Sequence, residues 1–250
     1  MLGRIGEILR NPFDEPIEED QRLWRYFRTE RFVDALGSGK LYFASARQFQ
    51  DPFEGATAVI PPEMQVDQRF PLVGELGERA FEQLRRLTKV SCWHRADYES
   101  DAMWQLYAGS WKGVAIRTSP ARIRAAVRTL RLQPQHLGEE LWGGNVRYVD
   151  LVQERLRVSA IARFWHKHMA FSWEREFRLG ISLAYAEEFG VDVPEEGVNV
   201  DFDLGQLIES IFLGPSLSPE DALLIRQAAE RAGLLDRIKL SSMFGTPRYT

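Results

Sequence analysis

The chain has 250 residues, of which 44% are hydrophobic and 27% charged, and its formal net charge at pH 7 is −4. That length allows one large domain or two small ones with a sizeable core, and the composition is ordinary for a globular protein. The negative net charge excludes a global basic field of the kind that attracts nucleic acids. The single cysteine, Cys92, excludes an internal disulfide and a multi-cysteine zinc site, which suits a reducing compartment.

The N-terminus has no long apolar stretch after its first charges, so it does not resemble a signal peptide. No run of about 18 apolar residues occurs anywhere, so the sequence predicts no transmembrane helix and no membrane partner. We therefore expect a cytoplasmic protein. Residues 1–20 are acidic and interrupted by prolines, which indicates an arm that leads into one domain over residues 21–250.

Hydrophobic periodicity and cap residues predict the elements of the first half of the chain. The predicted strands cover residues 23–27, 40–44, 90–93 and 113–117. The predicted helices cover residues 28–36, 75–87 and 102–108, the first ending at Gly37 or Gly39 and the last capped by Ser100 and Asp101. Residues 61–74 are rich in proline and are expected to form a loop.

In the second half, Ser119 and Pro120 are typical of a helix start, and that helix is expected to reach about Leu130. Further helices are predicted at residues 151–168 and 219–233, and further strands at 146–149, 208–213 and 238–241. Strands outnumber the crossover helices that a doubly wound parallel sheet requires. The predicted fold class is α+β, a single domain with a mixed, mainly antiparallel sheet flanked by helices.

The most informative segment is Ser172–Leu179, SWEREFRL, which has the composition of a strand. The period-2 alternation of a strand places Glu174, Glu176 and Arg178 on one face. Apolar neighbours at residues 177–183 indicate a buried strand, in which one of two adjacent carboxylates would titrate at a raised pKa, as acid–base sites require. The alternative is a solvated sheet face whose charges serve solubility alone.

A second candidate is the turn Asp51-Pro52-Phe53-Glu54. Proline restricts the backbone of this bend, and the two carboxylates project from adjacent points of it. Asp51 and Glu54 could contact a ligand or form half of a metal site. The competing interpretation is an Asx turn, in which Asp51 binds its own backbone.

Aromatic residues are concentrated between Cys92 and Lys112, where they could line a pocket for a planar base or form core. Cys92 and His94 share a strand face, but this spacing does not guarantee the contact that a thiol nucleophile needs. His166 and His168 are expected on a helix, where their spacing places them on different faces and disfavours a shared metal. In extended chain the same spacing would suit one.

Several blocks, in this order and spacing, resemble the bacterial domain-of-unknown-function family 2971 over residues 22 to 240. They are RYF at 25–27, LYFAS at 41–45 running to FQDPFE at 49–54, SCW at 91–93, MWQLY at 103–107 running to KGV at 112–114, VRY at 146–148 and WEREFR at 173–178. Gln50 departs from the asparagine that is usual in the family, which shifts or removes an amide contact there. The family name implies no function.

The order of an arginine on an early strand, a serine on a middle strand and a late Glu-x-Glu is similar to the pattern of ADP-ribosyltransferases. That resemblance implies an ADP-ribosyltransferase-like fold and NAD as substrate, in a transferase or glycohydrolase of bacterial toxin or phage-defence systems. It assigns Arg25 to the NAD pyrophosphate, Ser91 to the nicotinamide ribose and Glu176 to the oxocarbenium-like sugar. Glu174 would assist substrate deprotonation.

In the same interpretation, Tyr42 or Trp104 would stack on nicotinamide, and a protein or a nucleic acid would be the acceptor. Two alternatives stay open. Asp51, Glu54, Glu174 and Glu176 could bind Mg²⁺ or Mn²⁺ in a nuclease or phosphodiesterase. The chain could instead be a non-enzymatic module that binds a nucleotide or a protein through its aromatic residues.

Overall fold

The computed structural model describes residues 9–58, 71–133, 138–245 and 248–249. Its α-helices are α1 Thr29–Ser38, α2 Pro71–Leu87, α3 Asp101–Tyr107, α4 Pro120–Ala126, α5 Ala184–Glu188, α6 Leu204–Leu207 and α7 Pro219–Arg231. Its strands are β1 Leu23–Phe27, β2 Lys40–Ser45, β3 Thr88–Arg95, β4 Val114–Thr118, β5 Leu141–Asn145, β6 Arg147–Val149, β7 His166–His168, β8 Glu176–Ser182, β9 Val198–Asp201, β10 Ser210–Leu213 and β11 Ile238–Leu240. Short 3₁₀ helices lie at Ala46–Gln48, Ala162–Trp165, Met169–Glu174, Leu235–Arg237 and Ser242–Phe244.

The predicted class is confirmed, because helices combine with a mixed, mainly antiparallel sheet. The chain divides into two compact units. The first unit comprises Met1–Ile17, Tyr42–Cys92 and Thr129–Asn199, and the second comprises Glu18–Leu41, Trp93–Arg128 and Val200–Thr250. The domain boundaries expected from the sequence, an arm to residue 20 and one domain beyond it, stay a prediction. Within the described residues, no helix is both long and apolar enough to cross a membrane.

In the second unit, β1 pairs antiparallel with β4 and with the end of β3. Strand β10 pairs antiparallel with β4 and parallel with β11. Trp24 and Tyr26 of β1 pack with Met103 and Trp104 of α3 in one buried cluster. The period-2 alternation of β1 explains this, because the two aromatic residues share a face of the strand.

Helix ends follow the predicted caps in most places. Ser100 and Ser119 each accept a hydrogen bond from a first-turn amide of the helix that follows, and Ser218 does the same for α7. Gly39 ends α1 with φ 70°, a left-handed conformation that glycine adopts without steric cost. These signals are local, so the sequence alone was sufficient to place them.

The predicted extension of α4 to Leu130 is wrong, since the helix ends at Ala126. Val127 is extended and forms a β-bridge with Phe202. The amide of Arg128 donates to the carbonyl of Asp201 at 2.9 Å. Pairing with a distant segment therefore replaces the helical hydrogen bonds that periodicity favoured.

In the first unit, β8 pairs antiparallel with β5 and also pairs with β3, which pairs antiparallel with β2. Strands β6 and β7 form a separate parallel pair. Phe164 and Trp165 lie in a buried cluster with Ala46. Leu9 is buried against Gly143 of β5, where any side chain larger than hydrogen would meet its Cδ1 at 2.5 Å. The sequence did not predict β5, because its two glycines disfavour a strand.

The predicted helix over residues 151–168 is wrong. Asp150 instead accepts hydrogen bonds from the amides of Val152 and Gln153, and the chain is irregular up to a 3₁₀ helix at Ala162–Trp165. Residues 166–168 are extended and pair with β6. Helix α2 begins at Pro71, so residues 71–74 are helical and not loop, whereas residues 61–70 of that predicted loop lie outside the described residues.

Candidate functional site

The Glu-Arg-Glu segment is a strand only in part. Met169–Glu174 is a 3₁₀ helix, and Arg175 follows with φ 44°, a left-handed conformation that is uncommon for a residue with a side chain. Strand β8 begins at Glu176, so Glu176 and Arg178 share a face. The expectation that Glu174 belongs to the same strand is wrong, because the amide of Arg175 donates to the carbonyl of Ser172 and closes a turn there.

Arg178 is fully buried and lies at the centre of the candidate site. Its Nη1 and Nη2 pair with the two carboxylate oxygens of Glu54, the second at 3.0 Å. Nη1 also donates to the carbonyl of Phe164 at 2.6 Å, and Nε donates to Oε2 of Glu176 at 2.8 Å. With Nη2 at 2.7 Å from the same Glu176 oxygen, each of the guanidinium's five N–H groups has an acceptor within reach.

Lys167 of β7 joins two carboxylates at the outer edge of this cluster. Its ammonium contacts Glu174 directly and lies 3.6 Å from Oε1 of Glu176. These side chains keep a little exposure, 8% for Lys167, 6% for Glu174 and 10% for Glu176, whereas Glu54 and Arg178 have none. Among these five side chains, the exposed surface therefore lies at the edge that Lys167 occupies, where a ligand could approach the cluster.

Three carboxylates face two cations in this cluster, so its formal charge is −1 when all five groups are ionised. Burial alone would raise the pKa of Glu176, but Arg178 and Lys167 outweigh burial and hold that pKa below its ordinary value. Burial and the neighbouring Glu176 raise the pKa of Glu174, which Lys167 offsets only in part. The pKa of Glu174 is thus raised and that of Glu176 lowered, which is the pattern expected of an acid–base pair.

Two neutral groups complete the surroundings of Glu176. Its backbone amide donates to the hydroxyl of Tyr148 at 2.8 Å, and the Cys92 thiol hydrogen-bonds its side chain. Burial raises the pKa of both Cys92 and Tyr148 well above their ordinary values, so both are protonated at neutral pH. A protonated thiol beside a carboxylate is a hydrogen-bond donor and not a thiolate nucleophile.

The Asp51–Glu54 turn serves two purposes. Oδ1 of Asp51 accepts from the amide of Phe53 at 2.9 Å, so the Asx-turn interpretation is correct. Glu54, in contrast, reaches the buried cluster, where Arg178 takes both of its oxygens. Phe53 packs against the ring of His168, with centroids 5.6 Å apart.

His166 and His168 lie in extended chain and not on the predicted helix. Nδ1 of His166 hydrogen-bonds the carbonyl of Ala162 at 2.9 Å, and Nδ1 of His168 accepts from the amide of Ala170. Among the residues that the structure describes, no group of three or more His, Cys, Asp and Glu side chains is arranged to hold a metal ion.

Ser91 lies on β3 and Tyr42 on β2. Ser91 neighbours Cys92 on β3, so alternation directs its side chain to the face opposite the one from which Cys92 reaches Glu176. The hydroxyl of Tyr42 donates to Oε1 of Gln48 at 2.9 Å. The prediction that Ser91 belongs to the site came from the order of the strands. Strand order does not specify on which face of the sheet a side chain lies.

Arg25 and Trp104 belong to the second unit. The guanidinium of Arg25 lies over the rings of Phe27 and Trp93, at 5.2 and 5.6 Å from their centroids. Trp104 has no exposed surface, and its Nε1 donates to Glu99 at 3.0 Å. It is a core residue, so the expectation that it stacks on a ligand is wrong for this side chain.

Other aromatic residues do lie beside the carboxylates. Trp173 immediately precedes Glu174 and is 44% exposed. The ring of Phe171, in the same 3₁₀ helix, has the Lys167 ammonium 4.7 Å from its centroid. Sequence reasoning missed Lys167 because it expected a helix there. If residues 166–168 are taken as a strand, the side chain of Lys167 lies on the face opposite to those of His166 and His168.

Comparison of the chain with protein-family models, with curated proteins and with solved structures finds no match. The resemblance to family 2971 and to ADP-ribosyltransferases therefore stays an expectation from the sequence.

Proposed function

We propose that this protein uses Glu174 and Glu176 to cleave the N-glycosidic bond of an NAD-like nucleotide, which releases nicotinamide and transfers the ADP-ribosyl group to water or to another acceptor. The observation that carries the proposal is their position: both carboxylates contact the one ammonium of Lys167, at the slightly exposed edge of a buried cluster. That cluster has one more carboxylate than it has cations. Excess negative charge in a site of low dielectric favours a cation or a developing positive charge.

Glu176 is the group suited to the sugar. Loss of nicotinamide leaves positive charge on the ribose, and an ionised carboxylate beside it lowers the energy of that transition state. Arg178 and Lys167 hold the pKa of Glu176 low, which keeps it ionised at neutral pH. Arg178 and the hydrogen bond from the backbone amide of Glu176 to the Tyr148 hydroxyl also hold Glu176 in position, so little reorganisation is needed during the reaction.

Glu174 is the group suited to the acceptor. Its raised pKa makes it a stronger base than an ordinary glutamate when it is ionised, and Lys167 can stabilise that form. It would remove a proton from water in a glycohydrolase, or from a protein or nucleic-acid hydroxyl in a transferase. Trp173, which is partly exposed, and Phe171, whose ring is near Lys167, would stack on a nicotinamide or adenine ring.

The proposal is tested by incubating the purified protein with NAD and measuring nicotinamide release by chromatography. We expect Glu176→Gln to lower the rate by at least about 100-fold, because the amide cannot offset positive charge on the sugar. Glu154→Gln, an exposed change of the same kind in the same unit, should leave the rate unchanged. Circular dichroism should show that both variants are folded.

Wild-type protein that binds NAD in calorimetry but releases no nicotinamide, with or without candidate acceptors, would contradict the proposal and favour a non-enzymatic binding module. Equal rates in wild type and Glu176→Gln would also contradict it.

The role of Glu174 predicts a pH dependence. Because the base must be ionised, turnover should fall as the pH drops through the raised pKa of Glu174, at a pH above its ordinary value of 4.5. Glu174→Gln should remove this acidic limb and lower the rate by about 10²–10⁴-fold. The measurement is the pH–rate profile of both proteins. An unchanged acidic limb in Glu174→Gln would assign the titration to another group.

A further inference from the structure

Two arginines in the first unit border the same aromatic ring. Phe81 and Arg85 are four residues apart on α2, so they share a face of the helix. The guanidinium carbon of Arg85 lies 5.8 Å from the Phe81 ring centroid, and that of Arg163 lies 5.6 Å from it. Arg163 comes from the 3₁₀ helix at Ala162–Trp165. Two like charges thus lie close to the same aromatic ring.

Both guanidinium groups have unused donors. The Nε atoms of Arg85 and Arg163 are buried and have no hydrogen-bond partner in the described part of the chain. Arg85 has one carboxylate nearby, Glu82, whose Oε1 accepts from Nη1 at 3.1 Å and whose side chain is 53% exposed. No carboxylate of the described residues lies within ion-pair distance of Arg163.

An unpaired, partly buried guanidinium is costly to the fold. Burial disfavours its charge and lowers the pKa of Arg163, although arginine stays protonated in proteins. A buried N–H without an acceptor adds to this cost, because it has lost its hydrogen bond to water and gained none in return. An anion that accepts hydrogen bonds from both arginines would remove these costs, and the planar guanidinium fits the oxygens of a phosphate.

We propose that Arg85 and Arg163 form an anion site that binds a phosphoryl group. The site also has a direct connection to the carboxylate cluster. Phe164 follows Arg163 in the chain, and its carbonyl accepts a hydrogen bond from Arg178. The 3₁₀ helix at Ala162–Trp165 therefore contains Arg163 of the anion site and also accepts a hydrogen bond from Arg178 of the cluster.

This inference relies on the proposed function only for the identity of the ligand, in which the phosphoryl group would belong to the pyrophosphate of the NAD-like nucleotide. In this inference Arg85 and Arg163, and not Arg25, contact the pyrophosphate. The glycosidic chemistry at Glu174 and Glu176 is not needed for the anion site to exist, so the two can be tested separately.

The test is calorimetric titration of the full chain with inorganic pyrophosphate and with ADP. We expect wild type to bind both, and Arg163→Met to bind them at least about tenfold more weakly, since hydrogen bonds to a charged group are lost. Arg157→Met removes the same positive charge at an exposed position, and this variant should bind both ligands like wild type. The melting temperature of Arg163→Met without ligand should not fall, because an uncompensated buried charge is removed.

If Arg163→Met does not fold, Arg85→Met provides the same binding test at the other arginine of the site. Absence of pyrophosphate and ADP binding by wild type, or equal affinity in the variants and wild type, would overturn the anion site. If wild type binds pyrophosphate but releases no nicotinamide from NAD, the anion site stands and the proposed function fails. If NAD turns over, Arg163→Met should raise KM and leave kcat nearly unchanged.

Discussion

Replacing Arg178 with methionine is expected to lower the free energy of unfolding by about 3–5 kcal/mol. The substitution removes the only cation that contacts both Glu54 and Glu176 within the described cluster. It leaves two carboxylates in a site from which water is largely excluded, and it leaves the carbonyl of Phe164 without this donor. Urea unfolding, followed by circular dichroism, measures the change.

The chain offers a matched control in the second unit. Arg117 forms the same kind of two-bond pair with Glu209, at 3.1 and 2.7 Å, but the two side chains are 19% and 37% exposed. Because water can solvate the partner that remains, Arg117→Met should cost no more than about 1 kcal/mol. Similar losses in the two variants would contradict the view that burial makes the Arg178 pair critical.

A second large loss is expected from Gly113→Ala, at least about 3 kcal/mol or failure to fold. A Cβ at this position would lie 2.0 Å from the carbonyl oxygen of Phe27 and 2.9 Å from that of Ala108. Both are backbone atoms, so the clash cannot be relieved by a change of rotamer. Thermal and urea unfolding measure the effect.

Gly37→Ala is the control for that substitution. Gly37 lies inside α1, where an added Cβ meets nothing within 4 Å. Alanine has the higher helix propensity, so this variant should gain up to about 1 kcal/mol. A lower free energy of unfolding for Gly37→Ala, or an unchanged one for Gly113→Ala, would contradict the view that contacts of the added Cβ decide which glycines can be replaced.

The fold was predictable where the signals are local. Ser100 and Ser119 cap the helices that follow them, and Gly39 ends α1, because each acts on backbone groups within a few residues. The predictions failed where distant segments compete for the same backbone. Val127 leaves its helix to pair with Phe202, and residues 166–168 pair with β6 although the sequence favours a helix.

The candidate site was predictable in part for the same reason. Glu174 and Glu176 stood out because carboxylates among apolar residues are unusual, and burial of both is observed. Lys167 was missed, since its importance follows from contacts and not from its own neighbours. Ser91 was selected from strand order, which does not specify on which face of the sheet a residue lies. Its neighbour Cys92 reaches Glu176, so alternation directs Ser91 to the opposite face.

The sequence by itself determined the α+β class, most helix and strand positions and the concentration of charge around Glu176. Only the tertiary structure decided what that charge contacts. Arg178 pairs with Glu54, 124 residues away in the chain, and this pairing turns a run of alternating charges into a buried cluster. The physical reason is range: caps and periodicity act over a few residues, whereas the pKa of a carboxylate depends on burial and on charges that folding brings beside it.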